Sequence, residues 1–127
     1  NLPVKTFVFN NSSLGMVKLE MLVEGMPEFE TDHEQLNFAD IASGMGIKSI
    51  RVEKPKEVRK AVREALAYNG PVLVEFVTDP NALSIPPTLS IDQLLGFSKA
   101  AARTVFDGGV GHMVDMAASN LRNIPRP

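Results

Sequence analysis

Val72–Val77 reads VLVEFV, an almost unbroken apolar and β-branched run. A strand covered by helices on both faces of a parallel sheet needs such a run. Immediately before it, Tyr68-Asn69-Gly70-Pro71 stops a helix that opens at Pro55, a residue favoured at helix starts. Val58, Val62, Ala65 and Leu66 are the expected buried face of that helix; Glu57, Arg59, Lys60, Arg63 and Glu64 are its solvated face. Residues 47–52 (IKSIRV) alternate as a strand with one more exposed face. Asn37 caps a helix whose apolar stripe is Phe38, Ile41, Ala42 and Met45; Asp40 suits its positive end, and Gly44 or Gly46 stops it. Residues 24–34 are acidic and irregular, a surface loop. Residues 14–23 carry Leu14, Val17, Met21 and Leu22 at helical spacing, after a first strand at 4–9 (VKTFVF) and a break at Asn10-Asn11-Ser12-Ser13.

Downstream, residues 79–88 (DPNALSIPPT) hold three prolines and are extended or turning. Ser90 and Gln93 form a capping box that opens a helix through about Phe106. Gly108-Gly109 ends it, and a last helix at 110–121 shows Val110, Met113, Val114, Ala117 and Leu121 on one face. The resulting order places the chain in the α/β class: a parallel sheet flanked by helices, with right-handed crossovers and C-terminal helices. Three strands are few for such a sheet. An exposed edge, open to dimerisation or swapping, is therefore expected.

With 44% hydrophobic and 22% charged residues in 127, the composition is that of a globular domain, not a disordered chain or a coiled coil. A net charge of -2 argues against electrostatically driven nucleic-acid binding. The sequence holds no cysteine, so thiolate catalysis and Cys-based zinc sites are excluded, and a reducing, cytoplasmic location is the expectation. No apolar run approaches the roughly 18 residues of a membrane-spanning helix. His33 and His112 have no triad-like neighbours and read as surface residues. Gly108-Gly109-Val110-Gly111 follows no strand and is not a dinucleotide fingerprint.

Chemistry concentrates where the first strand ends. In open α/β sheets, ligands bind beyond the carboxyl ends of the strands. Asn10-Asn11 stands there, and a helix N-terminus follows, offering N–H groups and a positive dipole end to an anion. Asn side-chain and backbone carbonyl oxygens are also hard ligands suited to magnesium, so Asn11 and the Ser13 carbonyl are candidate ligands. The alternative is that Asn10 and Asn11 only cap the helix.

The stretches NNSSLGMVKLEM (10–21), TDHEQLNFADIASGMGI (31–47), GPVLVEFVTDPNALSIPP (70–87) and GFSKAAARTVF (96–106) cover nearly the whole chain. In this order they resemble the C-terminal region of the thiamine-diphosphate-dependent pyruvate oxidases, especially the pyruvate:quinone oxidoreductases. FVFNN is similar to the closing half of the thiamine diphosphate motif, whose opening Gly-Asp-Gly half is absent. The resemblance implies the C-terminal half of a thiamine diphosphate-binding fold at 1–88, followed by a helical extension at 89–127. It further implies a piece of a longer enzyme, inactive alone, that converts pyruvate to acetate and CO2 with thiamine diphosphate, Mg2+ and FAD and passes electrons to quinone. FAD would be bound by regions outside this chain.

By the same resemblance, Asn11 gives its side-chain oxygen and Ser13 its backbone carbonyl to Mg2+. Asn10, Ser12, Leu14 and Gly15 complete the cofactor-binding turn, and Met16 and Glu20 face the substrate. Helical spacing independently puts Met16 and Glu20 on one face; the competing readings are core packing for Met16 and a solvated carboxylate beside Lys18 and Glu24 for Glu20. Homotetrameric assembly and membrane-surface contact through the C-terminal segment are also implied. The amphipathic last helix followed by Arg122 and Arg126 suits such contact, and the competing reading is that its apolar stripe packs on the sheet or a neighbouring subunit. The competing functions are an acetolactate synthase-like enzyme, which shares the Asn-Asn end, and a non-catalytic interaction module.

Overall fold

A computed structural model describes residues 2–83 and 90–121 of the chain. They form two compact units that alternate along the sequence: residues 2–11 with 34–78, and 12–33 with 79–83 and 90–121.

The first unit holds β1 (Lys5–Asn10), α2 (Phe38–Gly44), β2 (Lys48–Val52), α3 (Val58–Ala67) and β3 (Val72–Val77). Its three strands are parallel in the order β1-β3-β2, so the strand with the most apolar sequence lies in the middle. This is the expected α/β arrangement. β1 and β2 are the two edges, and on β1 the ring of Phe9 is 72% exposed. Period-2 alternation along β3 puts Val72, Val74 and Phe76 on one face, where Ala61 and Ala65 of α3 and Val52 of β2 complete a core. The rings of Phe7 and Phe9 lie 6.2 and 5.3 Å from that of Phe76.

Glu75 points to the other face and is fully buried. Its Oε1 accepts hydrogen bonds from Asn10 Nδ2 (2.7 Å) and Arg51 Nη1 (2.8 Å), and its Oε2 accepts from the Ala39 N–H (2.9 Å). Burial pushes its carboxyl up, but the bonds from Asn10, Ala39 and Arg51 outweigh this and hold it below the ordinary carboxylate range. One side chain thus joins the ends of two strands to the first turn of α2.

Two expected helix faces are corrected in this unit. α3 buries Ala61 and Ala65, with Val62 partly covered, while Val58 and Leu66 are exposed. α2 buries Ala39 and Ala42, while Ile41 and Met45 are exposed. Small alanines let each helix backbone lie close to the sheet, which a stripe of larger side chains would prevent. Pro55 opens a single 3-10 turn, Pro55–Glu57, and the α-helix starts only at Val58. The Asn37 cap is formed: its Oδ1 accepts from the Asp40 N–H at 2.9 Å.

The second unit holds α1 (Gly15–Val23), α4 (Ile91–Phe106) and α5 (Val110–Asn120). α1 ends in a Schellman turn: Met26 N–H donates to the Met21 carbonyl and Gly25 N–H to that of Leu22, with Gly25 at φ +79. A Cβ at Gly96 of α4 would lie 1.7 Å from the Val23 carbonyl oxygen, so only glycine allows this approach of α4 to α1. The capping box of Ser90 and Gln93 is present at the start of α4.

Two further faces are corrected here. α1 turns Lys18 and Leu22 inward, not Leu14 and Val17, which are exposed. α5 buries Met116 and Asn120 and exposes Val110, Val114, Ala117 and Leu121. Asn120 turns inward because its Oδ1 accepts from the Leu83 N–H (2.9 Å) and its Nδ2 donates to the carbonyls of Asn81 (2.7 Å) and Met116 (2.8 Å). Most of the proline-rich segment and the Arg122–Arg126 tail lie outside the described residues.

Glu75→Gln keeps the shape but leaves more donors than acceptors, and should cost about 2 kcal/mol at neutral pH. Because the folded carboxyl titrates below its ordinary 4.5, its contribution is complete above that pH and is lost as pH falls through the lowered value. The gap between wild type and variant in urea denaturation should therefore narrow in acid. Gly96→Ala should cost about 3 kcal/mol, read as a fall in thermal midpoint, since the clash is with backbone.

Candidate functional site

β1 delivers Asn10 to the end of the sheet, buried opposite Val77 of β3. Its amide donates to Glu75 and to the Leu36 carbonyl (2.9 Å), and its backbone carbonyl accepts from the Thr78 N–H. Asn10 thus fixes the strand end, and half-buried Asn11 follows it. In the second unit, Ser12 stands at φ 51, a left-handed conformation that non-glycine residues adopt only when their surroundings enforce it. The enforcement comes from residues 31–33. His33 N–H donates to the Ser12 carbonyl (3.1 Å), Leu14 N–H to the Thr31 carbonyl (2.7 Å), and Ser13 forms an antiparallel bridge with Asp32.

The alternative reading, in which Asn10 and Asn11 cap the helix, does not describe the start of α1. The N-cap position falls on Leu14, and no side chain caps the helix. An uncapped first turn can serve an anion such as a diphosphate. Asn11 and Ser13 each carry oxygens of the kind that magnesium accepts. Among the described residues, no group of three or more His, Asp or Glu is arranged to hold a metal. Met16 is 63% exposed, and Glu20 is likewise exposed one turn further along α1.

The residue that sequence reasoning missed is Lys18. It is 1% exposed, with its ammonium 2.7 Å from Glu28 Oε1 and 3.0 Å from Asp32 Oδ1. Burial pulls its pKa down, but the bonds to Glu28 and Asp32 outweigh that and raise it. A hydrogen bond from Ser13, opposed by burial and joined by Lys18, lowers that of Asp32. Glu28 also accepts from His112 Nε2 of α5 at 3.0 Å, so His112 is half-buried and paired, not a simple surface residue. Nor is segment 24–34 a merely solvated loop: Thr31 is buried and Glu28 largely so. One signal was available. Lys18 is the sole Lys or Arg among residues 14–34, which hold six carboxylates.

Residues 1–76 match the thiamine pyrophosphate enzymes, in their C-terminal TPP binding domain. The chain belongs to this family. Among its relatives, a Bacillus subtilis protein named as thiamine pyrophosphate-containing, YdaP, is 32% identical over 95% of the chain. The mitochondrial acetolactate synthase of Schizosaccharomyces pombe is 38% identical over 61%, and the acetolactate synthase catalytic subunit of Saccharomyces cerevisiae 30% identical over 80%. The chain spans only 21%, 12% and 15% of these relatives. The comparisons support the thiamine pyrophosphate enzymes at large and do not single out their pyruvate oxidase branch.

For this domain the electrostatic network has a pH signature. The raised pKa of Lys18 makes its contribution complete below the ordinary 10.5 and lost as pH rises through the raised value. The lowered pKa of Asp32 makes its contribution complete above 3.8 and lost as pH falls below. Lys18→Met should therefore be less stable than wild type at neutral pH. The difference in urea midpoint should shrink at the alkaline limb.

Proposed function

We propose that the chain is the diphosphate-anchoring part of a thiamine-diphosphate-dependent enzyme acting on pyruvate, of the acetolactate synthase type. The family match over residues 1–76, which contains the whole 10–15 turn, carries the cofactor assignment. The two relatives named for an activity, both acetolactate synthases, support the reaction type. Bound thiamine diphosphate supplies the electron sink for loss of CO2 from a 2-oxo acid, and the protein supplies binding and orientation.

In this reading Asn11 Oδ1 and the Ser13 carbonyl would hold Mg2+, and the first turn of α1 would offer its N–H groups to the diphosphate. Asn10, Ser12, Leu14 and Gly15 set the shape of the turn. Met16 and Glu20 stand on the substrate side in this reading.

A second reading, oxidative decarboxylation to acetate with FAD and quinone, is favoured by the NALSIPP and GFSKAAARTVF blocks. It is also compatible with YdaP, which matches 95% of the chain and is named by cofactor alone. Tetrameric assembly and membrane-surface contact belong to this reading.

The intact protein given pyruvate, thiamine diphosphate and Mg2+ should form acetolactate without an added electron acceptor. Acetate formed only with FAD and a quinone would decide for the second reading. Asn11→Ala should weaken thiamine diphosphate binding in Mg2+ about ten- to a hundredfold by calorimetry, the loss of one charge-assisted contact. Unchanged affinity would remove Asn11 from the anchor.

A further inference from the structure

Lys18 projects from α1 into the protein and not into water, and both carboxylates it meets belong to the segment after α1. That segment grips the turn ahead of α1 residue by residue. Thr31 takes the Leu14 N–H and the Ser13 hydroxyl (3.3 Å), Asp32 bridges Ser13, and His33 N–H reaches the Ser12 carbonyl. Glu28 is further fixed by Thr31 Oγ1 (3.4 Å) and His112. A buried ammonium is tolerated only with its partners in place, so Lys18 enforces one position of segment 28–32. The left-handed Ser12 backbone needs such enforcement.

We propose that Lys18 is a positioning residue for the cofactor anchor: by holding Asp32 it fixes the Ser13 backbone, and so the direction in which the Ser13 carbonyl is offered to Mg2+. The assignment rests on the reading of residues 10–15 as that anchor. In this proposal Lys18 acts on the anchor through its carboxylate partners, Asp32 beside Ser13 and Glu28 behind it, and not as a ligand itself. Groups that orient metal ligands in this way typically change metal affinity by about ten- to a hundredfold when removed.

The test is calorimetric titration of Mg2+ into the intact protein at saturating thiamine diphosphate. Lys18→Met should raise the Mg2+ Kd about ten- to a hundredfold, and Lys18→Arg should restore it to within a few-fold of wild type. Leu22→Ala, which opens a cavity one turn along the same buried face of α1, should lower the thermal midpoint without moving the Mg2+ Kd. If Leu22→Ala weakens Mg2+ as much as Lys18→Met, or if folded Lys18→Met binds Mg2+ like wild type, the positioning role is overturned.

Should Lys18→Met not fold, Asp32→Asn takes its place. Asp32 is the exposed member of the pair, and its loss of charge should weaken Mg2+ by about tenfold; no change overturns the proposal. Absence of any thiamine diphosphate or Mg2+ binding by the wild-type protein would overturn the anchor reading itself. Normal wild-type binding with unaffected variants would overturn only the role of Lys18.

Discussion

A carboxylate buried in the middle of a strand is costly unless every oxygen is engaged, and Glu75 organises its unit around that constraint. Asn10, Ala39 and Arg51 come from β1, α2 and β2, and each meets the same carboxylate. The sheet order follows the same logic, because only a central β3 has a strand on each side to supply these donors. The end of β1 is consequently fixed by charge as well as by strand pairing, and the turn that starts at Asn11 leaves from a defined point. Valines on the opposite face of β3 supply the apolar core without competing for that role.

The elements of the fold were legible in the sequence because local chemistry marks their ends. Asn37, Ser90 with Gln93, Pro55 and the Gly70-Pro71 break each act on the backbone next to them, and each falls where the structure begins or ends an element. Helix faces were less legible. A periodic stripe of large apolar residues predicts burial only if the neighbour leaves room for them. Here α2 and α3 approach the sheet through alanines, and α5 turns inward an asparagine that serves the backbone of Asn81 and Leu83. Such choices depend on tertiary partners that periodicity does not contain.

The site divides in the same way. Asn10 to Gly15 stood out because amide side chains, a turn and a helix start coincide there, a local pattern matching the family region. Its support was invisible. Glu75 sits in a run that otherwise reads as pure hydrophobic strand, and Lys18 looks like any solvated lysine on a helix until Glu28 and Asp32 are brought to it. Both are charges that become intelligible only through partners distant in the chain.

The burial of Lys18 also separates two populations of ion pairs by their response to dissolved salt. Lys48–Glu64 has both partners substantially exposed. At physiological ionic strength, where the screening length is about 8 Å, counter-ions reach such a pair and weaken it. The Lys18 ammonium offers almost no surface to those ions, so its attraction to Glu28 persists in concentrated salt. Saline surroundings would then loosen the periphery of the sheet unit while leaving the Lys18–Glu28 pair intact.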